Sequence, residues 1–116
     1  MKQVILVVLC CSLLGTTHIV PARELTTREQ KIIMDVIDAK LRDPVDAKYF
    51  WQDYKEGDVY CAHVNSKLPY GGYGGKTPII LELKRDENGQ IKRAKGVVSN
   101  DSLLLMKFCT EAGYKT

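Results

Sequence analysis

The chain has 116 residues, of which 45% are apolar and 27% are charged, and its formal net charge is +3. This length allows one domain and excludes two. The nearly even charge balance excludes the strongly basic surface of nucleic-acid-binding proteins and the polybasic patch that binds anionic membranes, so we expect neither partner.

The first 22 residues are typical of a signal peptide. Lys2 precedes an uncharged apolar run from Val4 to Leu14, and Ala22 is a small residue before a plausible cleavage site. The run is shorter than the roughly 20 residues of a membrane span, although an anchor stays an alternative. We predict a signal peptide over 1–22, one small domain over 23–116 with no stable membrane span, and a periplasmic or secreted location.

Cleavage removes two of the four cysteines and leaves Cys61 and Cys109. In an oxidising compartment such a pair predicts one disulfide. Three alternatives stay open. They are a reactive thiol pair, a metal site that adds His63, and lipidation at Cys10 or Cys11, for which neither preceding residue is small.

The segment from Glu24 to Leu41 is predicted to be an amphipathic helix. Thr26 stands three residues before Glu29, which is the spacing of a capping box. Pro44 restricts the residue before it and should end the helix near Asp43. The apolar face is predicted to comprise Ile33, Val36, Ile37 and Leu41.

Four segments are predicted to be strands of an antiparallel meander: 49–54, 58–65, 77–83 and 90–98. In the third strand, Ile79, Leu81 and Leu83 have the two-residue spacing of one strand face and should face the core, while Glu82 and Lys84 should face water. The Asn88-Gly89 pair before the fourth strand is typical of a type I′ hairpin turn, in which both central residues have positive φ.

A second helix is predicted from Leu103 to Ala112. Residues 99–102 offer N-cap side chains, and Gly113 is a natural stop. We expect its buried face to comprise Leu105, Phe108, Cys109 and Ala112. The predicted fold class is therefore α+β, with an N-terminal amphipathic helix, a four-stranded antiparallel meander sheet and a C-terminal helix tied to the sheet by a disulfide.

The loop after the second strand alternates tyrosines with glycines over residues 70–75. Tyrosine is favoured in interfaces because its large ring is rigid and has a polar tip. The alternative is a turn whose tyrosines cover the core. Our binding hypothesis comprises Tyr70, Gly71, Gly72, Tyr73, Asn65 and Lys67.

His63 is the one histidine of the predicted mature chain and should share a strand face with Cys61. A small hydrolase that uses His63 with Asp53, Glu56 or Asp58 is an alternative function, but no spacing joins a nucleophile, a base and an orienting acid. We therefore expect no catalytic residue, no cofactor and no metal.

Three motifs and a late cysteine resemble a family of small exported bacterial proteins of unassigned function. The motifs are Asp43-Pro44-x-x-Ala47-Lys48-x-Phe50, Tyr60-Cys61-Ala62-x-Val64-Asn65-x-Lys67 and Tyr70-Gly71-Gly72-Tyr73-x-Gly75, followed by Cys109. This chain departs from the family's pattern at Ala62, where glycine is commoner, and at Leu68, where asparagine is. The resemblance implies a shared fold and the Cys61–Cys109 pairing, but no activity.

The sequence predicts an exported, non-enzymatic protein of the cell envelope or periplasm that binds another envelope or secreted protein through the Tyr/Gly loop. The alternative is an accessory or inhibitory factor for a secretion or conjugation machine or for an exported enzyme. The resemblance gives this alternative its context, since some similar proteins lie in phage or conjugation gene clusters.

Overall fold

The computed structural model describes residues 22–42, 44–66 and 75–116, so residues 1–21 of the predicted signal peptide lie outside the described residues. Across these three ranges, no helix is both long enough and apolar enough to cross a membrane. The elements are helix α1 Thr27–Asp38, a 3-10 turn Pro44–Asp46, strands β1 Lys48–Phe50, β2 Val59–Asn65, β3 Thr77–Arg85 and β4 Ile91–Val98, helix α2 Ser102–Leu104 and a π-helix Leu105–Thr110.

The four strands form one antiparallel sheet in the order β1-β2-β3-β4, which confirms the predicted meander. In the central register, Cys61 on β2 lies opposite Ile80 on β3, and Ile80 lies opposite Val97 on β4. Directly opposed residues share one face of a sheet. This register therefore places Cys61, Ile80 and Val97 in one row across three strands.

The two faces of the sheet differ in composition. The inner face is buried, as the alternation in β3 predicts, and contributes Tyr60, Ala62, Val64, Ile79, Leu81 and Leu83 to the core. The outer face has Cys61 and Ile80 near its centre and turns charged toward the β3–β4 hairpin. Helix α1 packs against β4 and places Ile33 and Ile37, both fully buried, in the core.

Helix α1 begins with a capping box. The Glu29 backbone N–H donates to Thr26 Oγ1 at 3.1 Å, and the Thr26 N–H donates to Glu29 Oε1 at 2.9 Å. The helix ends at Asp38, where the N–H groups of Lys40 and Leu41 donate to carbonyls three residues back. Asp43, the predicted end, lies outside the described residues.

A partly buried ion pair joins Arg23 to α1. Glu29 is fully buried, and Arg23 donates to both of its carboxylate oxygens at 2.7 and 2.8 Å. The Ile91 backbone N–H also donates to Glu29, at 2.8 Å. Arg23 further donates to Glu56 at 2.8 Å, and its guanidinium lies 5.1 Å from the ring centre of Tyr54.

This network makes the stability of the domain sensitive to acid. Burial alone would raise the pKa of Glu29, but the hydrogen bonds from Arg23, Ile91 and Thr26 outweigh it and lower the pKa to about 2. A lowered pKa gives stability that is present above the unfolded pKa and is lost as the pH falls through the folded one. Between about pH 5 and pH 2, the free energy of unfolding of wild type should therefore fall by about 3 kcal/mol more than that of Glu29→Gln. Chemical denaturation of both proteins across this pH range measures the difference.

The exposed Glu24 supplies the matched control for that measurement, and Glu24→Gln should lose stability in acid as wild type does. If wild type and Glu29→Gln follow parallel pH profiles, the ionised Glu29 does not stabilise the fold.

Strand β1 ends at Phe50, so the predicted strand over 49–54 is wrong beyond that residue. The Gln52 N–H donates to the Tyr60 hydroxyl at 2.7 Å, and that hydroxyl donates to the Gln52 carbonyl at 2.6 Å. Because the Gln52 N–H and carbonyl both bond to the Tyr60 hydroxyl, they do not pair with the backbone of β2, and β1 does not extend to Gln52. Tyr54 then pairs with Arg23 in an isolated antiparallel bridge.

The β3–β4 hairpin is confirmed, but its turn is not type I′. Gly89 has φ +79°, whereas Asn88 does not have a positive φ. The Asp86 carboxylate accepts the N–H groups of Asn88 and Gln90 at 2.9 and 3.0 Å. The aspartate side chain therefore stabilises a wider turn, in which only the glycine adopts a left-handed conformation.

The predicted disulfide is confirmed. It joins Cys61 on β2 to Cys109 on the π-helix with a Cα–Cα distance of 5.8 Å, and both residues are buried. The Asp101 side chain caps the segment by accepting the N–H groups of Leu103 and Leu104. The disulfide therefore holds the C-terminal segment against the outer face of the sheet.

The predicted buried face of the C-terminal helix is wrong at two positions. Cys109 is buried and Leu105 is half-buried, but Phe108 and Ala112 are exposed. The Glu111 N–H donates to the Met106 carbonyl, five residues back, at 3.1 Å. A π-helical turn has more residues than an α-helical turn. Side chains spaced for an α-helix therefore do not share a face here.

Tyr114 anchors the end of the chain. Its side chain is buried, its ring packs edge-on against Tyr60 at 5.4 Å, and its hydroxyl accepts the Lys55 N–H at 3.0 Å. Lys115 exchanges two hydrogen bonds with the Gln52 side chain, at 2.8 and 2.9 Å. These contacts tie the end of the chain to residues 52–60.

Candidate binding surface

Five of the six residues in the sequence-based binding hypothesis, Lys67, Tyr70, Gly71, Gly72 and Tyr73, lie outside the described residues. The sixth, Asn65, ends β2. Its Oδ1 is buried and accepts no hydrogen bond from any residue that the structure describes. The role of the Tyr/Gly loop therefore stays a prediction.

His63 is not hydrogen-bonded to any of the carboxylates considered with it for catalysis, Asp53, Glu56 and Asp58. His63 Nε2 lies 2.9 Å from the backbone oxygen of Thr116, and no described Asp or Glu side chain hydrogen-bonds to it. Arg23 holds Glu56, and Arg85 lies 3.4 Å from Asp58. Arg85 also lies 4.0 Å from Glu56, so this one arginine bridges the two carboxylates.

The disulfide uses both sulfurs of the metal site that was considered with His63, so neither can serve as a thiolate ligand. Over residues 22–42, 44–66 and 75–116, no cluster of three or more His, Cys, Asp or Glu side chains could hold a metal ion.

The C-terminal segment exposes several large apolar side chains. Leu103 is 72% exposed and Met106 is 54% exposed, and on the neighbouring edge strand β4, Val97 is 45% exposed. We define the apolar surface as Val97, Leu103, Leu104, Met106 and Phe108. Single exposed apolar residues are ordinary on proteins, but a cluster marks an interaction site.

A groove of about 260 Å³ adjoins this surface and shares Val97 and Phe108 with it. Phe108, on the π-helix, forms one wall, and Val97 with Ile80 and Val59 on the outer face of the sheet forms the other. The disulfide fixes the distance between these walls, because Cys109 adjoins Phe108 in the chain and Cys61 lies opposite Ile80. The groove is therefore preformed, which lowers the entropic cost of filling it.

Charged side chains line the groove and continue beyond it, since both Lys95 and Glu82 belong to the groove lining. Lys84 lies directly opposite Arg93, a cross-strand pair of like charges that destabilises a sheet. Lys95 lies opposite Glu82, and Lys107 lies 5.8 Å from the ring centre of Phe108. We define the basic strip as Lys84, Arg93, Lys95 and Lys107.

Strand β4 forms one edge of the sheet, and three of its eight residues, Lys92, Arg93 and Lys95, are basic and exposed. Charged residues on an edge strand, lysine above all, discourage pairing with a further strand. A partner is therefore better accommodated on the outer face, where the groove lies, than along the edge of β4.

No family model, curated protein or solved structure matches the chain. Membership in the family of small exported bacterial proteins therefore stays a prediction, which rests on the three motifs and Cys109 alone.

Sequence reasoning missed the apolar surface, although one signal was present. Residues 103–108 contain five large apolar side chains and a single charge. A surface helix buries only one stripe of its circumference, so a segment this apolar exposes some of those side chains unless something covers it. The predicted buried face leaves out Leu103, Leu104 and Met106, three large apolar side chains of this segment.

Proposed function

We propose that this chain is an exported, non-enzymatic protein of the periplasm or the secreted fraction, and that it binds a partner protein through the apolar surface and the basic strip. One observation carries the proposal: large apolar side chains are exposed on a segment that a buried disulfide fixes against the sheet. The disulfide also fits an oxidising compartment.

The surface favours a partner with a particular chemistry. A bulky apolar side chain fits the groove beside Phe108, and acidic residues around it complement the basic strip. Such a partner relieves the repulsion between Lys84 and Arg93. Charge complementarity of this kind speeds association and weakens as salt screens it.

Substitution of the apolar surface should weaken binding without harming the fold. We expect Leu103→Gln combined with Met106→Gln to lower partner affinity about tenfold, because a tenfold loss corresponds to about 1.4 kcal/mol, or about 0.7 kcal/mol for each of two interface side chains. Both side chains are exposed, so the unfolding free energy should change by less than about 0.5 kcal/mol for each substitution. Affinity capture from envelope extract with quantitative mass spectrometry identifies the partner, and a titration with that partner measures the affinity.

The chain offers a matched control in Val45, which is 90% exposed on the 3-10 turn before β1. Val45→Gln removes a similar apolar group and should leave partner affinity unchanged. If Val45→Gln lowers partner affinity as much as the double variant does, capture reports nonspecific hydrophobic binding and not binding at the apolar surface.

Substitution of the Tyr/Gly loop distinguishes the two candidate sites. If Tyr70→Ala combined with Tyr73→Ala abolishes capture while the Leu103/Met106 variant binds normally, the loop is the site and the apolar surface is not. Loss of the thermal transition in the tyrosine variant would instead show that the loop supports the fold.

A further inference from the structure

A second groove, separate from the apolar surface, contains the single tryptophan of the chain. It has a volume of about 300 Å³ and lies between the start of α1 and the segment that follows β1. This volume is at the lower limit of roughly 300–1,000 Å³ for small-molecule sites. Its lining is Glu24, Leu25, Gln30, Trp51, Gln52 and Asp53.

Neighbouring aromatic packing fixes the Trp51 ring in this groove. The ring stacks on Tyr49, with centroids 5.1 Å apart and planes 9° from parallel. Tyr49 is held in turn by a 2.5 Å hydrogen bond from its hydroxyl to Asp38 at the end of α1. Trp51 is only half-buried, so it offers a rigid apolar plate inside a polar groove.

The polar side chains around Trp51 are accessible to a ligand, since Glu24 and Asp53 are exposed and Gln30 is half-buried. Within the described residues, no hydrogen bond or ion pair satisfies the side chains of Gln30, Glu24 and Asp53, and the indole N–H of Trp51 has no acceptor. Gln52 differs, because its amide is already committed to Lys115 and Cys61. The groove therefore presents free donors and free acceptors beside one aromatic face.

We propose that this groove binds a neutral, pyranose-containing glycan. A sugar ring has a face of C–H groups that packs on an aromatic plate, and hydroxyls around its rim that bond to amides and carboxylates. Glu24 and Asp53 give the groove negative charge with no cation in its lining, which disfavours uronates and other anionic sugars. A wholly apolar ligand would leave the polar groups unpaired.

The tryptophan provides a direct signal, because the chain has no other. The full chain is titrated with cellotetraose and with chitotetraose while Trp51 fluorescence is followed, up to about 10 mM so that weak binding is detected. We expect a saturable change with at least one of these sugars and none with tetragalacturonate. Gln30→Ala and Asp53→Ala should each weaken binding about tenfold, since each removes a hydrogen-bond partner.

Leu103→Gln, on the apolar surface, is the control and should bind the glycan as wild type does. The absence of a saturable response to both neutral sugars would overturn the proposal. So would equal binding of tetragalacturonate, or a response to choline alone, which would assign the groove to an organic cation. The substitutions at Leu103 and Met106 lie outside this groove. Loss of protein capture therefore tests the proposed function, while the Trp51 fluorescence response to glycans tests this inference separately.

Discussion

Removal of the Cys61–Cys109 disulfide should lower the free energy of unfolding by about 4 kcal/mol. The bond closes a loop across a sequence separation of 48 residues, and its loss restores that chain entropy to the unfolded state. The expected loss is a large fraction of the 5–15 kcal/mol that a small domain has in total. Denaturant titration of Cys61→Ala combined with Cys109→Ala, against oxidised wild type, measures it.

The loss should be concentrated in the C-terminal segment. From residue 102 to residue 110, Cys109 is the one side chain that is buried, so without the bond Tyr114 is the main remaining anchor. We expect amides of this segment to exchange with solvent much faster in the double variant, while those of β3 stay protected. Reductant should act slowly on folded wild type, because both sulfurs are buried. A double variant within about 1 kcal/mol of wild type would contradict this account.

Replacement of Arg23 by methionine should destabilise the domain by about 3 kcal/mol. Methionine keeps an apolar stem over Tyr54 but leaves the Glu29 carboxylate buried without its cation. Breaking one partner of a buried pair is costly because the remaining charge is stranded. Chemical denaturation of the purified variant at neutral pH measures the change.

A double-mutant cycle isolates the stranded charge from the other contacts of Arg23. Arg23→Met combined with Glu29→Gln should recover much of the loss, since no buried charge is left. The exposed Lys31–Asp35 pair provides a matched control, and Lys31→Met should cost less than about 0.5 kcal/mol. If the double variant is no more stable than Arg23→Met, the cost comes from lost packing and not from charge.

The inner face of the sheet and the disulfide could be predicted because their signals are local or follow from a count. The alternation of Ile79, Leu81 and Leu83 requires only the two-residue period of a strand. The prediction that Cys61 pairs with Cys109 follows from a count, because cleavage of the predicted signal peptide would remove the other two cysteines. The hairpin at Gly89 was likewise predicted, but the Asp86 side chain decided which turn forms.

The errors arose where a side chain distant in sequence competes for backbone groups. Nothing near Gln52 indicates that the Tyr60 hydroxyl will occupy its N–H and carbonyl and so end β1. Nothing in the spacing of Phe108 and Cys109 reveals a π-helical turn. The ion pair between Arg23 and Glu29 was not predicted either, because the capping-box pattern already accounted for a glutamate at position 29.

The amino-acid sequence by itself determined the strand pattern, the helix cap at Thr26 and the cysteine pair, since each depends on neighbouring residues or on arithmetic. Only the tertiary structure decided which apolar side chains stay exposed and where a groove forms around Trp51. Exposure depends on what packs over a residue, and one side of the groove around Trp51 comes from Glu24, Leu25 and Gln30, which are distant from it along the chain. For that reason both candidate binding sites came from packing and not from a motif.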